Sequence, residues 1–142
     1  MESPEVDCEA LMNAALPFAQ KMLKTSGEFY PYGTAMRANK SVVSVTNHHD
    51  QERPQSGDVI TGLKKAFIEG GESGDYIATA LVYDVRIILP SDGTKSDAIA
   101  VALDHRENYS VVVFLPYKVE NGAVTMGEPL AQRGEGEIFS AS

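Results

Sequence analysis

The sequence predicts an α+β domain, in which a mostly antiparallel sheet of five or six strands carries two helices on one face as a two-layer sandwich. Three runs within residues 76–117 support this fold, because their bulky residues recur at every second position, as on a sheet with one packed face. The turns between these runs are short, so neighbouring strands should be antiparallel. Two amphipathic helical segments complete the expected order, α-β-β-α-β-β-β-β.

The first helix is expected over residues 4–25, where apolar residues fall on one face. Pro17 interrupts this pattern, and it either kinks the helix or begins a second segment. Ser26 and Gly27 are typical of a helix end.

Two strands are expected next, over residues 29–38 and 41–46. Asn39 tolerates a positive φ, which favours a hairpin between them. The polar segment 47–57 contains Pro54 and is expected to be a loop.

The second helix is expected over residues 56–69, with Gly70–Gly71 as its end. In the strand-rich half that follows, Asn121–Gly122 predicts a hairpin and a short sixth strand over residues 123–127. The tail from about residue 132 is rich in Gly, Glu and Ser and is expected to be loose.

Length and composition indicate one domain over residues 1–142 that needs neither a disulfide nor a metal to stabilise its core. The single cysteine, Cys8, cannot form an intramolecular disulfide. The acidic N-terminus does not resemble a signal peptide, and no apolar run approaches the roughly 20 residues of a membrane span. We therefore expect a cytoplasmic protein.

The net charge of −8 comes from 20 acidic and 12 basic residues. This balance argues against nucleic acid or an anionic membrane as a partner, because phosphates attract positive surfaces. An acidic surface suits a basic protein partner, and it also serves solubility. A protein partner or a second copy of the chain is therefore the expected class of partner.

Motifs for common chemistry are missing from the sequence. It has neither a phosphate-binding loop nor a nucleophile elbow, and we expect no cofactor. His48, His49 and Asp50 are the one local cluster of metal-ligand types, to which His105 would have to come from elsewhere in the fold. An exposed polar loop is the competing interpretation of this cluster.

Other candidate residues lie in or beside the strands. Asp104 and His105 would act as acid and base if a pocket brought them together, although charged residues on a strand also occur on solvated sheet faces. Ala98, Ala100 and Ala102 form a small-residue face, which either receives a closely packed helix or subunit or borders a groove.

Two similar segments, Phe29-Tyr30-Pro31-Tyr32 and Phe114-Leu115-Pro116-Tyr117, place tyrosines beside prolines. Amphipathic rings of this kind line ligand pockets and protein interfaces, or complete a core while keeping a wet hydroxyl. Ligand or partner binding is accordingly assigned to five residues, which are Tyr30, Tyr32, Tyr83, Arg86 and Tyr117.

Four stretches of the chain (residues 27–33, 83–86, 96–99 and 114–117) resemble those of a group of small hypothetical bacterial proteins. The resemblance spans most of the chain and implies a bacterial cytoplasmic α+β domain, without implying any activity or catalytic residue. The leading hypothesis is a non-catalytic, acidic, protein-binding domain with an immunity-type or regulatory role. The alternative is an enzyme, or a metal- or small-molecule-binding protein, that uses the loop of His48, His49 and Asp50.

Overall fold

The computed structural model describes residues 3–45 and 56–139, which form two helices and seven strands. Neither helix in this part of the chain is long and apolar enough to cross a membrane. The elements, in chain order, are α1 (Pro4–Ser26), β1 (Tyr32–Arg37), β2 (Val42–Val45), α2 (Ser56–Glu72), β3 (Tyr76–Ile88), β4 (Lys95–His105), β5 (Tyr109–Glu120), β6 (Ala123–Met126) and β7 (Leu130–Arg133).

The strands form one antiparallel sheet in the order β2-β1-β3-β4-β5-β6. Strand β7 also pairs with β5, at a different stretch of that strand from β6. The α+β class and the antiparallel pairing that the short turns predict are confirmed. Strand β7 is not predicted by the sequence, because it has only four residues, which are mostly exposed and carry no clear alternation.

The two helices cover opposite faces of the sheet. On β3, Ala78, Ala80 and Val82 pack in the core beneath α1, whereas Leu81 packs with Phe67 of α2 on the other face. The first half of β3 is therefore buried on both sides, as in a central strand between two layers. The expected placement of both helices on one face differs from the structure, because the bulky residues of β3 and β4 lie on opposite faces of the sheet. Leu81 of β3 packs beneath α2, whereas Ile99 and Val101 of β4 pack beneath α1.

The ends of α1 carry typical capping residues. The Ser3 hydroxyl accepts a hydrogen bond from the Val6 N–H at the first turn, although the distance of 3.4 Å is long. At the other end, Gly27 adopts φ 76° and its N–H donates to the carbonyl oxygen of Leu23. The helix thus ends within a residue of the predicted position.

Helix α1 continues through Pro17, and a tyrosine from β1 supports it there. The Tyr32 hydroxyl donates to the carbonyl oxygen of Ala15 at 2.6 Å and accepts from the Ala19 N–H at 3.1 Å. An undisturbed helix would join these two backbone groups directly. The hydroxyl therefore supplies hydrogen-bond partners to the backbone groups on either side of the proline, where the hydrogen bonding of a helix is weakest.

Helix α2 directs Leu63 and Phe67 toward the second face of the sheet. Gly33 lies beneath Phe67, and a Cβ atom at Gly33 would come within 2.5 Å of the ring. The helix continues past its predicted end to Glu72, and the ring of Tyr76 packs against Gly70 in this extension. A side chain at Gly70 would overlap that ring.

The C-terminal segment, residues 134–139, crosses the second face after β7. The Gly134 N–H donates to the carbonyl oxygen of Ser110, and the Gly136 N–H donates to the Ser110 hydroxyl, both at 3.1 Å. Ile138 is buried in the core beneath α2. The tail that the sequence predicts to be loose from residue 132 is therefore held against the sheet as far as residue 139.

Candidate functional site

A cleft of about 420 Å³ lies on the second face of the sheet, beside α2. We call it the α2 cleft. Its walls are α2 and the C-terminal segment, and strands β3, β4 and β5 form its floor. The residues that line it are Ile60, Lys64, Phe67, Leu81, Tyr83, Ala102, Asp104, Ser110, Val112, Phe114 and residues 132–138.

The alanine face of β4 explains part of the depth of the cleft. Ala98 and Ala100 are fully buried, whereas Ala102 is partly exposed and lies in the floor. Of the two alternatives left open by the sequence, the structure gives a groove at Ala102. A larger side chain at this position would occupy the space that a ligand needs.

Asp104 is the most buried charged side chain in the cleft, at 7% exposure. Strand pairing places it directly opposite Ser110. Burial raises the pKa of Asp104; the Ser110 hydroxyl opposes this shift, the charge of Glu137 adds to it, and the charge of Lys64 opposes it. Within the described residues, no cation lies at ion-pair distance from this carboxylate.

The mouth of the cleft holds an ion pair between a helix and the C-terminal segment. Lys64 Nζ lies 2.7 Å from Glu137 Oε1, and both side chains are partly exposed. The pair leaves little net positive charge to compensate Asp104. Tyr83 lies in the same cleft, where burial raises the pKa of its hydroxyl.

His105 points to the opposite face from Asp104, because adjacent residues on a strand alternate. It is 5% exposed, and its Nε2 lies 2.9 Å from Asp7 Oδ2 on α1. Its Nδ1 accepts a hydrogen bond from the Glu107 N–H, so the ring is neutral and its proton is on Nε2. Both nitrogens are therefore occupied, and the predicted acid–base pair of Asp104 and His105 does not form.

Asp7 joins this histidine to the loop between β1 and β2. Lys40 Nζ lies 2.9 and 2.8 Å from the two carboxylate oxygens of Asp7. Burial by itself would raise the pKa of Asp7, but the hydrogen bonds from Lys40 and His105 outweigh it and lower the pKa. The cluster ties α1 to β4 and to the loop between β1 and β2.

Of the tyrosines predicted to bind a ligand, Tyr83 lines the α2 cleft. Tyr32 directs its hydroxyl into α1, and burial raises its pKa to about 12. Tyr30 is 60% exposed, outside the lining of the cleft. The structure does not gather these three rings around one pocket.

Tyr117 and Arg86 lie on the same face as α1. The Tyr117 hydroxyl donates to Asp84 Oδ1 at 2.8 Å. Arg86 Nε lies 3.5 Å from Asp97 Oδ1, and both side chains are mostly exposed. They are neighbours of each other, but the sheet separates them from Tyr83.

The predicted metal ligands His48, His49 and Asp50 lie outside the described residues. In residues 3–45 and 56–139, no three His, Cys, Asp or Glu side chains gather in a way that suits a metal ion. Cys8 is buried, and burial, with the charges of Asp104 and Asp7, raises the pKa of its thiol to about 12. The thiol is therefore protonated at neutral pH.

Two features of the cleft differ in how far the sequence reveals them. The pairing of Asp104 with Ser110 follows from the short turn between them, which the sequence does predict. The pairing of Lys64 with Glu137 joins residues 73 positions apart and has no local signal. Sequence reasoning also missed Phe114 and Val112 as floor residues.

Comparisons with protein-family models, with curated proteins and with solved structures each found no match. The functional argument for this chain therefore comes from the geometry of the α2 cleft. That geometry combines an apolar floor, a buried carboxylate and a polar mouth.

Proposed function

We propose that this protein is a non-catalytic binding domain, and that a protein partner docks at the α2 cleft. The proposed setting is the bacterial cytoplasm, with an immunity-type or regulatory role and no nucleic acid among its partners. The observation that carries the proposal is the Asp104 carboxylate, which is buried in the cleft floor and forms no ion pair with any of the described residues.

A buried charge without a partner destabilises the protein that contains it. Such a charge in a concave site is more often kept for binding or catalysis than for stability, since groups with perturbed pKa values concentrate at functional sites. The apolar floor around Asp104 supports binding, because a partner would cover Val112 and Phe114, which are partly exposed there. The net charge of −8 would draw a basic partner toward this surface.

The state of His105 supports binding over acid–base catalysis. With both ring nitrogens occupied, His105 has no lone pair or proton free to exchange with a substrate. Asp104 faces Ser110 across the strands, whereas His105 is held by Asp7 of α1 and does not contact Asp104 through a hydrogen bond.

A small-molecule ligand in the same cleft is the second candidate. The volume of about 420 Å³ falls within the roughly 300–1,000 Å³ of small-molecule sites. This ligand would use the same floor and the same carboxylate. The two candidates differ in what stays bound to the purified protein, which is a small molecule in this case and a protein partner in the first.

Site-specific photo-crosslinking in the native cell tests the proposal. A photoreactive residue replaces Gln132, which is exposed at the rim of the cleft, or Val119, which is exposed on the other face of the sheet as a control. We expect a protein adduct of one defined mass from position 132 and none from position 119. The adduct should disappear when Ala102→Phe fills the floor.

Two results would contradict protein docking at this cleft. One is an adduct that forms equally well in the Ala102→Phe background, provided that this variant remains folded. The other is the absence of any adduct at position 132 in a chain that is monomeric in solution. A low-mass ligand in native mass spectra that Ala102→Phe removes would favour the small-molecule candidate.

A further inference from the structure

We propose that the α2 cleft recognises an organic cation, an ammonium or guanidinium group on an apolar stem, and that Asp104 is its ion-pair partner. The inference rests on the proposed function, because it names the chemistry that the same cleft accepts. In a protein partner the group would be a lysine or arginine side chain, and its free counterpart would be an alkyl amine.

The first argument is the unmet bonding capacity of Asp104. An ionised carboxylate has about four acceptor positions. Ser110 is the residue opposite Asp104 on the neighbouring strand, and within the described residues no side chain forms an ion pair with the carboxylate. A cation in the cleft would supply both the remaining donors and the opposite charge, and it would remove the cost of burying the carboxylate alone.

The second argument is that the basic side chains of the cleft are engaged or directed elsewhere. Lys64 is held by Glu137 at 2.7 Å. Arg133 pairs with Val111 across the strands, and Val111 packs against the core beneath α1. Cross-strand partners share a face, so the Cβ of Arg133 leaves its strand on the α1 side, and within the described residues Arg133 forms no ion pair with Asp104. Within residues 3–45 and 56–139, no basic side chain therefore forms an ion pair with Asp104.

The third argument is the lining between the mouth and Asp104. Phe67, Tyr83 and Phe114 contribute aromatic surface, and Leu81 and Val112 contribute aliphatic surface. The methylene stem of a lysine or alkyl amine packs favourably on such surfaces. Aromatic faces also attract the charged end. An anionic ligand would meet the charges of Asp104 and Glu137 and is disfavoured.

Titration of the isotope-labelled protein with n-hexylammonium, followed by methyl NMR, tests the inference. Hexanol and hexanoate serve as neutral and anionic probes of the same length. We expect hexylammonium to shift the methyl signals of Leu81, Ala102 and Val112. Hexanol and hexanoate should bind more weakly by about tenfold or more.

Variants then assign the charge. Asp104→Asn keeps the shape of the side chain and an acceptor for Ser110, and it should weaken hexylammonium binding by about tenfold or more. Asp84→Asn is the matched control, because Asp84 is a carboxylate on the other face that Tyr117 already contacts. It should leave binding unchanged. Ala102→Phe keeps the charge and fills the floor, and it should abolish binding.

The source of the cation is resolved by a second probe, the lysine derivative Nα-acetyl-lysine methylamide. Binding at least as tight as that of hexylammonium assigns the cation to a side chain of a protein partner. Binding of hexylammonium with exclusion of the lysine derivative assigns it to a free amine.

Cation recognition is refuted if hexanol shifts the same signals equally well, if Asp104→Asn retains full affinity, or if no probe binds at about 10 mM. In those cases a crosslink at position 132 that Ala102→Phe removes would leave the proposed docking function standing. If neither cation binding nor the crosslink at position 132 is observed, both the docking function and its ligand class are refuted.

Discussion

The contact between Tyr32 and α1 gives a prediction whose size follows from the geometry. Tyr32→Phe removes a hydroxyl that donates to the Ala15 carbonyl oxygen at 2.6 Å and accepts from the Ala19 N–H at 3.1 Å. The ring itself stays, and it keeps its edge contacts with Phe18 and Phe29. The substitution therefore changes hydrogen bonding with little change in packing.

The expected cost depends on whether the helix can close after the hydroxyl is gone. An intramolecular hydrogen bond contributes about 0.5–1.5 kcal/mol, and a buried polar group left without a partner costs about 1–3 kcal/mol. Pro17 lies between Ala15 and Ala19, and its ring clashes with the carbonyl group of Asn13, four residues earlier. The bend that this clash favours opposes direct closure of the Ala15–Ala19 pair. We therefore expect Tyr32→Phe to lower the free energy of unfolding by about 2–3 kcal/mol.

Urea unfolding followed by circular dichroism measures this loss. For a denaturant slope of about 2 kcal/mol/M, the midpoint should fall by about 1 M. Tyr30→Phe is the control, since Tyr30 is exposed and should change stability by no more than about 0.5 kcal/mol.

A double-mutant cycle with Pro17→Ala tests the reasoning itself. With alanine at position 17, the Ala19 N–H can bond directly to the Ala15 carbonyl oxygen. The loss of unfolding free energy caused by Tyr32→Phe should then fall below about 1 kcal/mol in this background. The resulting coupling energy lies within the range known for residues in contact. Equal losses with and without Pro17, or no loss when Pro17 is present, would refute the account of Tyr32 as a support for the proline site.

Three further predictions concern buried charges and one close contact. Asp104→Asn should raise the unfolding midpoint at neutral pH, because the raised pKa means that ionisation costs stability; the gain should vanish as the pH falls toward the ordinary value of 3.8. Asp7→Asn should do the reverse: it should lose about 1–3 kcal/mol at neutral pH, since the pKa of Asp7 is lowered, and the difference should vanish as the pH falls below 3.8. Urea midpoints measured across this pH range check the direction of both stability changes. Curves of midpoint against pH that run parallel for variant and wild type would contradict the two predictions. Gly33→Ala should cost about 1–3 kcal/mol, because its Cβ would lie 2.5 Å from the buried ring of Phe67. Gly57→Ala has no atom within 4 Å and should be neutral or stabilising by about 0.5–1 kcal/mol in a thermal melt, so a similar loss at both glycines would argue against the overlap.

The sequence by itself determined the elements whose signals are local. The alternation in residues 76–117, the asparagine–glycine turn at 121–122 and the apolar stripe of α1 each depend on residues a few positions apart. The structure confirms β3, β4, β5 and β6, and it confirms that they are antiparallel. The Ser110 partner of Asp104 belongs to the same class, because a short turn fixes the register of its hairpin.

The tertiary structure alone decided which side of each strand is covered and by what. Ala78, Ala80 and Val82 give no local indication that α1 lies over them, and Leu81 gives none that α2 lies on the opposite side. A period of two fixes which residues share a face, but burial of that face depends on elements far away in the chain. The α2 cleft has the same origin, because α2, the floor strands and the C-terminal segment come together only when both faces of the sheet are filled.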